Sequence, residues 1–245
     1  MTYKEPEVDR IIIASLIKFQ DKLEYLEDLQ RGKLYMNTLR FFMELAEKDN
    51  FRGDRYEGLV AWYQPDRVTI KIIDQEIDGK SLAAPVALQM NCVLNLNAFC
   101  MYTLSFNANQ KIRADQLQEF EDSLRIHKAN FGHAKNMLIT TNTKEFLERV
   151  RKALQEAQKR GRIYKYSMGL VNYFDDTTFH GNFDERLWGF IKRRYFAPQK
   201  EYRIIVDAGS KDKEPFELQI GDCRDITIIT TPEDFNKGLK VLPPS

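Results

Sequence analysis

Tyr195-Phe196-Ala197-Pro198-Gln199-Lys200-Glu201-Tyr202-Arg203-Ile204-Ile205-Val206 is the stretch on which the reading of this chain turns. Pro198 precedes a β-rich run, and strand alternation sends Gln199, Glu201 and Arg203 to one face and Tyr202, Ile204 and Val206 to the other. A Gln and a Glu on one surface suit attack at an activated sugar carbon. The carboxylate can hydrogen-bond a ribose hydroxyl and stabilise a developing oxocarbenium cation, while the amide positions an acceptor. Arg203 beside them either pairs with phosphate or neutralises Glu201. The same alternation also describes a half-buried strand that turns its polar side to water and does no chemistry.

The pattern predicts a strand at Arg10 to Phe19, a helix at Gln20 to Gln30 ended by Gly32, a strand at Lys33 to Thr38 and a helix at Leu39 to Glu47. Lys48 to Gly58 is charged and reads as a surface loop, where sites tend to be built. Strands are expected at Leu59 to Tyr63, Val68 to Ile73, Ala87 to Leu94 and Phe99 to Phe106. Then come a helix at Ala114 to His127, a strand at Asn136 to Thr141 and a helix at Thr143 to Arg160 capped by Thr143, with Phe146, Leu147, Val150 and Leu154 inward. Further strands are expected at Arg162 to Tyr173, Glu201 to Asp207, Phe216 to Ile220 and Ile226 to Thr230, with a hairpin turn over Asp207 to Pro215 and a last helical turn at Pro232 to Asn236. No repeat or Gly/Ser linker interrupts the chain. The expectation is one α+β domain over 1–245, with mixed or antiparallel central sheets, flanking helices and flexible ends at 1–9 and 241–245.

Composition narrows the function. The 245 residues are 43% hydrophobic and 30% charged with a net charge of +1, an ordinary globular balance with no general pull toward polyanions or membranes. The charge is nonetheless uneven: residues 149–165 sum to +6 and residues 186–203 to +5. The second run interleaves Trp188, Phe190, Tyr195 and Phe196, a mix suited to a dinucleotide or single-stranded nucleic acid; a solvated helix face is the plain alternative for the first. No apolar run nears the roughly 20 residues of a membrane span, and the acidic Met1 to Arg10 is unlike a signal region. Cys92, Cys100 and Cys223 form no CxxC, so reduced thiols in a cytoplasm are expected. His127, His133 and His180 are too scattered for zinc, and no metal is expected. There is no GxSxG, P-loop, GxGxxG or HExxH to anchor hydrolase, kinase-like, Rossmann or zincin chemistry. Asp207 with Glu217-Leu218-Gln219 loosely matches a Mg²⁺-dependent nuclease.

In the Lys48 to Gly58 loop, Arg52, Asp54, Arg55 and Glu57 bracket Gly53 and Tyr56. Asp54 and Glu57 are candidates to face Glu201 across a cleft, Arg52 to grip a phosphate, and Glu57, just before Gly58 and a strand, to organise backbone amides. A charged turn held by local ion pairs is the plain alternative.

Phe196-Ala197-Pro198-Gln199-Lys200-Glu201-Tyr202-Arg203-Ile204-Ile205 resembles the catalytic strand of mono-ADP-ribosyltransferases of the Arg-Ser-Glu class, and the opening strand, helix and strand are similar to how such folds begin. The resemblance implies an ADP-ribosyltransferase-like core. It makes Glu201 the catalytic carboxylate and Gln199 the acceptor-positioning residue, with NAD as substrate. Arg203, Arg194, Tyr195, Lys192, Asn37 and Tyr35 are the residues expected to bind it. The Ser-Thr-Ser element of that family has no clear counterpart, Tyr35-Met36-Asn37-Thr38 and Thr103-Leu104-Ser105 being poor substitutes. A wider resemblance, over roughly residues 10–207, is to a large bacterial family of unknown function. It rests on Leu34-Tyr35-Met36-Asn37-Thr38 with Phe41, Asp54-Arg55-Tyr56-Glu57-Gly58, Val171-Asn172-Tyr173-Phe174-Asp175, and Lys192 with Glu201-Tyr202-Arg203. Where that family carries Phe-Asn-Asp-Pro, this chain has Asn50-Phe51-Arg52-Gly53-Asp54.

Two functions follow as expectations. One is transfer of ADP-ribose to a macromolecular acceptor, or NAD hydrolysis, in a cytoplasmic protein of bacterial or phage origin. The other is a non-catalytic binding protein of a phage-defence or counter-defence setting, whose basic aromatic surface docks a partner.

Overall fold

β-Branched and aromatic side chains fit a pleated, half-buried surface, and Ile11–Gln20, Asn97–Asn107 and Glu201–Asp207 are rich in them. The structure is a computed structural model that describes residues 11–109, 112–132 and 134–242. The expectations for 1–9, His133 and 243–245 lie outside the described residues. The fold is mixed α and β with mostly antiparallel sheets. It divides into two compact units, Met1–Gly32 with Met101–Arg149 and Gly221–Ser245, and Lys33–Cys100 with Val150–Ile220.

In the first unit Ile11–Gln20 lies between the later part of Asn97–Asn107 and Asn136–Thr140, with Thr227–Thr230 beyond, all antiparallel. Ile17, facing Tyr102 on one side and Ile139 on the other, anchors a core with Ile126 and Met137. Helix Leu23–Gln30 buries Leu26 and Leu29 of the three leucines at helical spacing, while Leu23 is exposed. The long helix, Thr143–Lys159, belongs to the first unit as far as Arg149 and to the second from Val150; Phe146, Val150 and Leu154 are buried and Leu147 is half-buried. Its cap is Asn142 rather than Thr143: the Asn142 Oδ1 accepts from the Glu145 N–H at 3.0 Å, while the Thr143 hydroxyl donates to the Ala14 carbonyl at 2.9 Å. Both residue types cap helices, and the strand had a use for the hydroxyl.

In the second unit Lys33–Thr38 pairs antiparallel with Phe216–Gln219 and, at Asn37 and Thr38, with the first residues of Asn97–Asn107. Glu201–Asp207 pairs antiparallel with Lys165–Leu170, Arg203 opposite Gly169, and also pairs with Asn97–Asn107. Leu59–Tyr63 lies between Val86–Gln89 and Gly181–Asn182, and Ile191–Arg193 runs parallel to Asn172–Phe174. Four expectations are corrected. The helix expected over Ala114 to His127 is a 3-10 turn at Ala114–Gln116 and a helix at Leu117–Ser123, with a separate short helix at Lys128–Phe131. The strand expected over Ala87 to Leu94 ends at Gln89, and Asn91–Leu94 is a helical turn. The run Arg162 to Tyr173 is two strands, Lys165–Leu170 and Asn172–Phe174. The Asp207 to Pro215 segment is not a hairpin, because Phe216–Gln219 takes Lys33–Thr38 as its partner. One core gathers Leu39, Val93, Leu96, Ala98, Phe190 and Ile205; another gathers Leu59, Trp62, Phe183 and Ile191 with Tyr56, Phe174 and Phe179. Among the described residues no helix is long and apolar enough to cross a membrane.

Candidate functional site

The loop after helix Leu39–Leu45 is folded back on that helix. Asp49 Oδ1 accepts from the Phe51 and Arg52 N–H groups, and the Gly53 N–H donates to the Asp49 carbonyl at 2.8 Å. Gly53 lies so close to the helix end that a Cβ there would sit 2.2 Å from the Ala46 nitrogen, so only glycine fits. The Asp54 N–H then reaches the Phe42 carbonyl at 3.2 Å. Two residues on, Tyr56 meets Trp62 edge to face with centroids 5.1 Å apart, a contact worth about 0.5–1.5 kcal/mol beyond burial. These anchors turn Asp54 and Glu57 inward, each 1% exposed. Local ion pairing does occur, between Arg52 and Asp49, but it leaves the two candidate carboxylates to other partners.

Those partners come from the Glu201 strand. Arg203, 1% exposed, donates from Nη1 and Nη2 to the two Glu57 oxygens at 2.9 and 2.6 Å, from Nε to Glu201 Oε2 at 2.7 Å, and from Nη1 to the Gly189 carbonyl at 2.7 Å. Lys192 donates to Glu201 Oε1 at 2.7 Å and to Gln199 Oε1 at 2.9 Å, and its ammonium is 3.4 Å from Glu57. The Gln199 amide N–H donates to the Phe51 carbonyl, and the Tyr173 hydroxyl accepts from the Glu201 N–H at 2.9 Å. Two buried carboxylates thus share two buried cations, and each charge has hydrogen-bonded partners, as burial of charge demands.

Burial alone would push the Glu201 carboxyl up; the Arg203 and Lys192 charges override it and hold it well below the usual carboxylate range. Burial would lower Lys192, and the Glu201 and Glu57 carboxylates raise it above its ordinary value instead. The solvated polar face is therefore corrected: Glu201 is 9% exposed and Arg203 less. Gln199 is also off the strand. It ends a 3-10 turn over Arg194–Gln199, and Lys200 adopts a left-handed φ of 40° before the strand begins. Gln199 and Glu201 still meet, through Lys192. Glu57 organises the Arg203 guanidinium rather than backbone amides; the residue that receives an amide is Asp54, whose Oδ1 accepts from the Tyr56 N–H at 2.9 Å.

Arg193, which the sequence places only within a basic run, stands beside this cluster. Its guanidinium lies 4.5 Å from the Tyr56 ring centroid and 5.7 Å from that of Phe196. Its nearest carboxylates, Asp54 and Asp176, are each 3.8 Å away, beyond hydrogen-bond reach. Three buried side-chain polar atoms lack a hydrogen-bond partner among the described residues: Asp54 Oδ2, Arg193 Nε and Trp188 Nε1. Two of the three belong to this one pair.

Asp54 feels that isolation. Burial first, then the Glu57 charge, pushes its carboxyl up from 3.8 to about 6, against the Tyr56 N–H and the Lys192 and Arg193 charges. A carboxyl whose folded pKa lies above its unfolded value adds stability that is full at low pH and is lost as pH rises through the folded pKa. A rise from 3.8 to about 6 corresponds to about 3 kcal/mol. Asp54→Asn keeps an oxygen for Tyr56 and removes the charge, so its melting temperature should exceed wild type by several degrees at pH 8 and by much less at pH 4. Thermal melts at the two pH values check this, and an equal difference at both would show that Asp54 does not titrate there.

The remaining candidates fall outside the cluster or at its rim. Arg194 and Tyr195 are exposed, Arg194 pairing with Asp175 at 3.1 Å and Tyr195 lying edge-on to Phe196. Tyr35 and Asn37 sit on Lys33–Thr38, opposite Glu217 and Ala98, and no described contact links them to Glu201. The second basic run is largely neutralised in place: Arg186 pairs with Asp184, Lys192 and Arg203 with Glu57 and Glu201, and Arg194 with Asp175. In the first run Arg149 is bound to Glu145 and Asp225, and Arg160 to Glu156, while Lys152, Lys159 and Lys165 are exposed. The nuclease pair is not assembled as a metal site: Glu217 pairs with Lys33 and Asp207 accepts from the Gly209 N–H. No group of three or more His, Cys, Asp or Glu among the described residues is placed to hold a metal ion. No protein-family model, curated protein or solved structure matches the chain.

Proposed function

We propose that the protein is a binding protein, and that the Glu57–Arg203–Glu201–Lys192 cluster is the rigid floor of its site rather than a reacting centre. One observation carries this reading: both oxygens of Glu201 and both ends of the Gln199 amide are engaged by the chain itself. A carboxylate between two cations offers little net negative charge to an oxocarbenium, because the neighbouring charges cancel its field at short range. An amide bonded at both ends has little left for an acceptor.

A second reading keeps the NAD chemistry of ADP-ribosyl transfer or NAD hydrolysis. It is favoured by the ionised state of Glu201, whose side chain is 11% exposed, and by the preset orientation the two cations give it. Glu201→Gln separates the two. On the binding reading, wild type incubated with nicotinamide-labelled NAD and cell extract releases no nicotinamide above buffer, and the variant loses stability because Arg203 and Lys192 lose a charged partner. Nicotinamide release that the variant abolishes at an unchanged melting temperature would overturn the binding reading in favour of the enzyme.

A further inference from the structure

A strand at the rim of a sheet presents unpaired backbone N–H and C=O groups, a template for another chain unless something covers it. Lys165–Leu170 is such a rim: among the described residues it pairs with Glu201–Asp207 and with no second strand. The Val171 N–H donates to the Glu201 carbonyl at 2.9 Å, which sets the phase of the antiparallel ladder. Lys165, Ser167 and Gly169 exchange bonds with Asp207, Ile205 and Arg203, so the N–H and C=O groups of Tyr166, Met168 and Leu170 point outward. No described residue bonds those outward groups. Two residues further on, the same side is taken. Asn172 donates to the Phe190 carbonyl at 2.7 Å, and Asn172–Phe174 carries Ile191–Arg193 alongside in parallel. The chain thus closes this edge at one end and leaves it open from Tyr166 to Leu170, with Lys165 and Ser167 exposed along it.

What flanks the edge decides the partner. Tyr166, Met168 and Leu170 stand opposite Val206, Ile204 and Tyr202, so their half-buried side chains share the face of those residues. The second half of helix Thr143–Lys159 borders the same strand pair. At one end the Gln158 amide donates to the Tyr164 carbonyl at 2.8 Å; at the other, burial raises the Tyr202 hydroxyl's pKa while the Arg151 charge draws it down. Arg151 and Lys152 at that far end, and Lys159 and Lys165 at the near one, are exposed, so cations stand at both ends of the edge. Outward backbone groups repeating every two residues, about 6.6 Å apart, match an extended polypeptide and nothing in a sugar or a nucleic acid. A second copy of this chain is disfavoured, since two-fold pairing about Met168 would set two cationic helices side by side. We propose that the open edge of Lys165–Leu170 docks an acidic segment of a partner protein in extended conformation, adding it as a further strand with its carboxylates against Arg151, Lys152 and Lys165. The inference goes beyond the reading of the charge cluster: Glu201 and Arg203 turn to the other face of their strand, and the edge is open whichever role they have.

The probe is a fluorescein-labelled heptapeptide of alternating Glu and Val with blocked ends, titrated with the full chain and followed by anisotropy. It should bind, and its counterpart with Lys for Glu should bind about 10-fold or more weakly. Two further versions carry N-methyl groups on every valine or on every glutamate, which strips the donors from one side of an extended strand. At least one of them should lose about 10-fold or more, because its hydrogen bonds to the rim are forfeited. Met168→Pro removes an outward N–H that the fold does not use, a position where edge strands accept proline; it should melt within a few degrees of wild type and weaken the Glu peptide about 10-fold or more. Arg151→Glu with Lys165→Glu should weaken the Glu peptide and strengthen the Lys peptide. If Met168→Pro does not fold, the N-methylated peptides decide the matter on wild type. Equal binding of the parent and both N-methylated versions overturns strand addition, and so does no binding at millimolar peptide. Binding of oligo-dT that displaces the peptide and is untouched by Met168→Pro gives the surface to nucleic acid. A concentration-dependent dimer in light scattering that Met168→Pro abolishes gives the edge to a second copy, and either result overturns the acidic-peptide proposal.

Discussion

Arg203→Met should be the most damaging single substitution in the second unit, removing about 3–5 kcal/mol of stability. Four hydrogen bonds vanish with the guanidinium, and Glu57 is left 1% exposed with only the Lys192 ammonium, 3.4 Å away, to offset its charge. Removing one partner of a buried ion pair costs about 3–5 kcal/mol, since the stranded charge keeps its desolvation penalty. Set against a total stability of about 5–15 kcal/mol, that is a large fraction. The penalty belongs to the stranded charge and not to the lost volume. Glu57→Leu combined with Arg203→Met should therefore recover part of it, and urea unfolding of the two single variants and the double variant measures the recovery. An Arg203→Met protein within about 1 kcal/mol of wild type would mean that the pairing contributes nothing net.

Lys192→Met should come second. The substitution removes the ammonium from Glu201 and Gln199 and leaves Glu57 and Glu201 to share Arg203 alone. The expected loss is again about 3–5 kcal/mol at pH 7, tempered by a methionine that fills the lysine stem's place beside Phe196. The pH dependence gives it a signature. Glu201 is held below its ordinary value by Arg203 and Lys192, so it contributes stability above the unfolded pKa that fades as pH falls through the folded one. Without Lys192 the folded value rises, and acid reaches it sooner. The gap between variant and wild type should thus narrow from pH 7 to pH 3, because a protonated Glu201 no longer needs a cation. A gap that stays constant would place the damage in packing rather than charge.

Much of the chain's local structure was legible from its pattern. Lys33–Thr38, Leu59–Tyr63 and Glu201–Asp207 begin and end where alternation and punctuation put them. The failures share a cause. Asn91-Cys92-Val93-Leu94 is a short apolar run, which periodicity cannot assign to strand or helix, and tertiary packing made it a helical turn with Val93 and Leu94 buried. The hairpin expected after Asp207 failed because strand partners are chosen by the sheet and not by the turn. At the site, the sequence itself singles out Glu57, Lys192, Gln199, Glu201 and Arg203, and the structure brings them together. What the sequence could not show was that they would face inward, because Glu57 and Arg203 meet across 146 positions. Arg193 was missed for the same reason, although a signal existed. Three consecutive cations after Phe190-Ile191 cannot all face water from one strand, since successive side chains take opposite faces.

The charge cluster also constrains how this chain can change over time. Glu57, Lys192, Glu201 and Arg203 carry two charges of each sign, and any single loss strands a buried partner. Apolar replacement of the whole set is tolerable, whereas each step on the way there passes through a poorly folded intermediate. Lineages descending from this sequence should then keep the quartet entire or lack it entire. The informative unit for tracing its kin is a joint pattern, an acid in the first loop with Lys, Glu and Arg at the later three positions, more than any single residue within it.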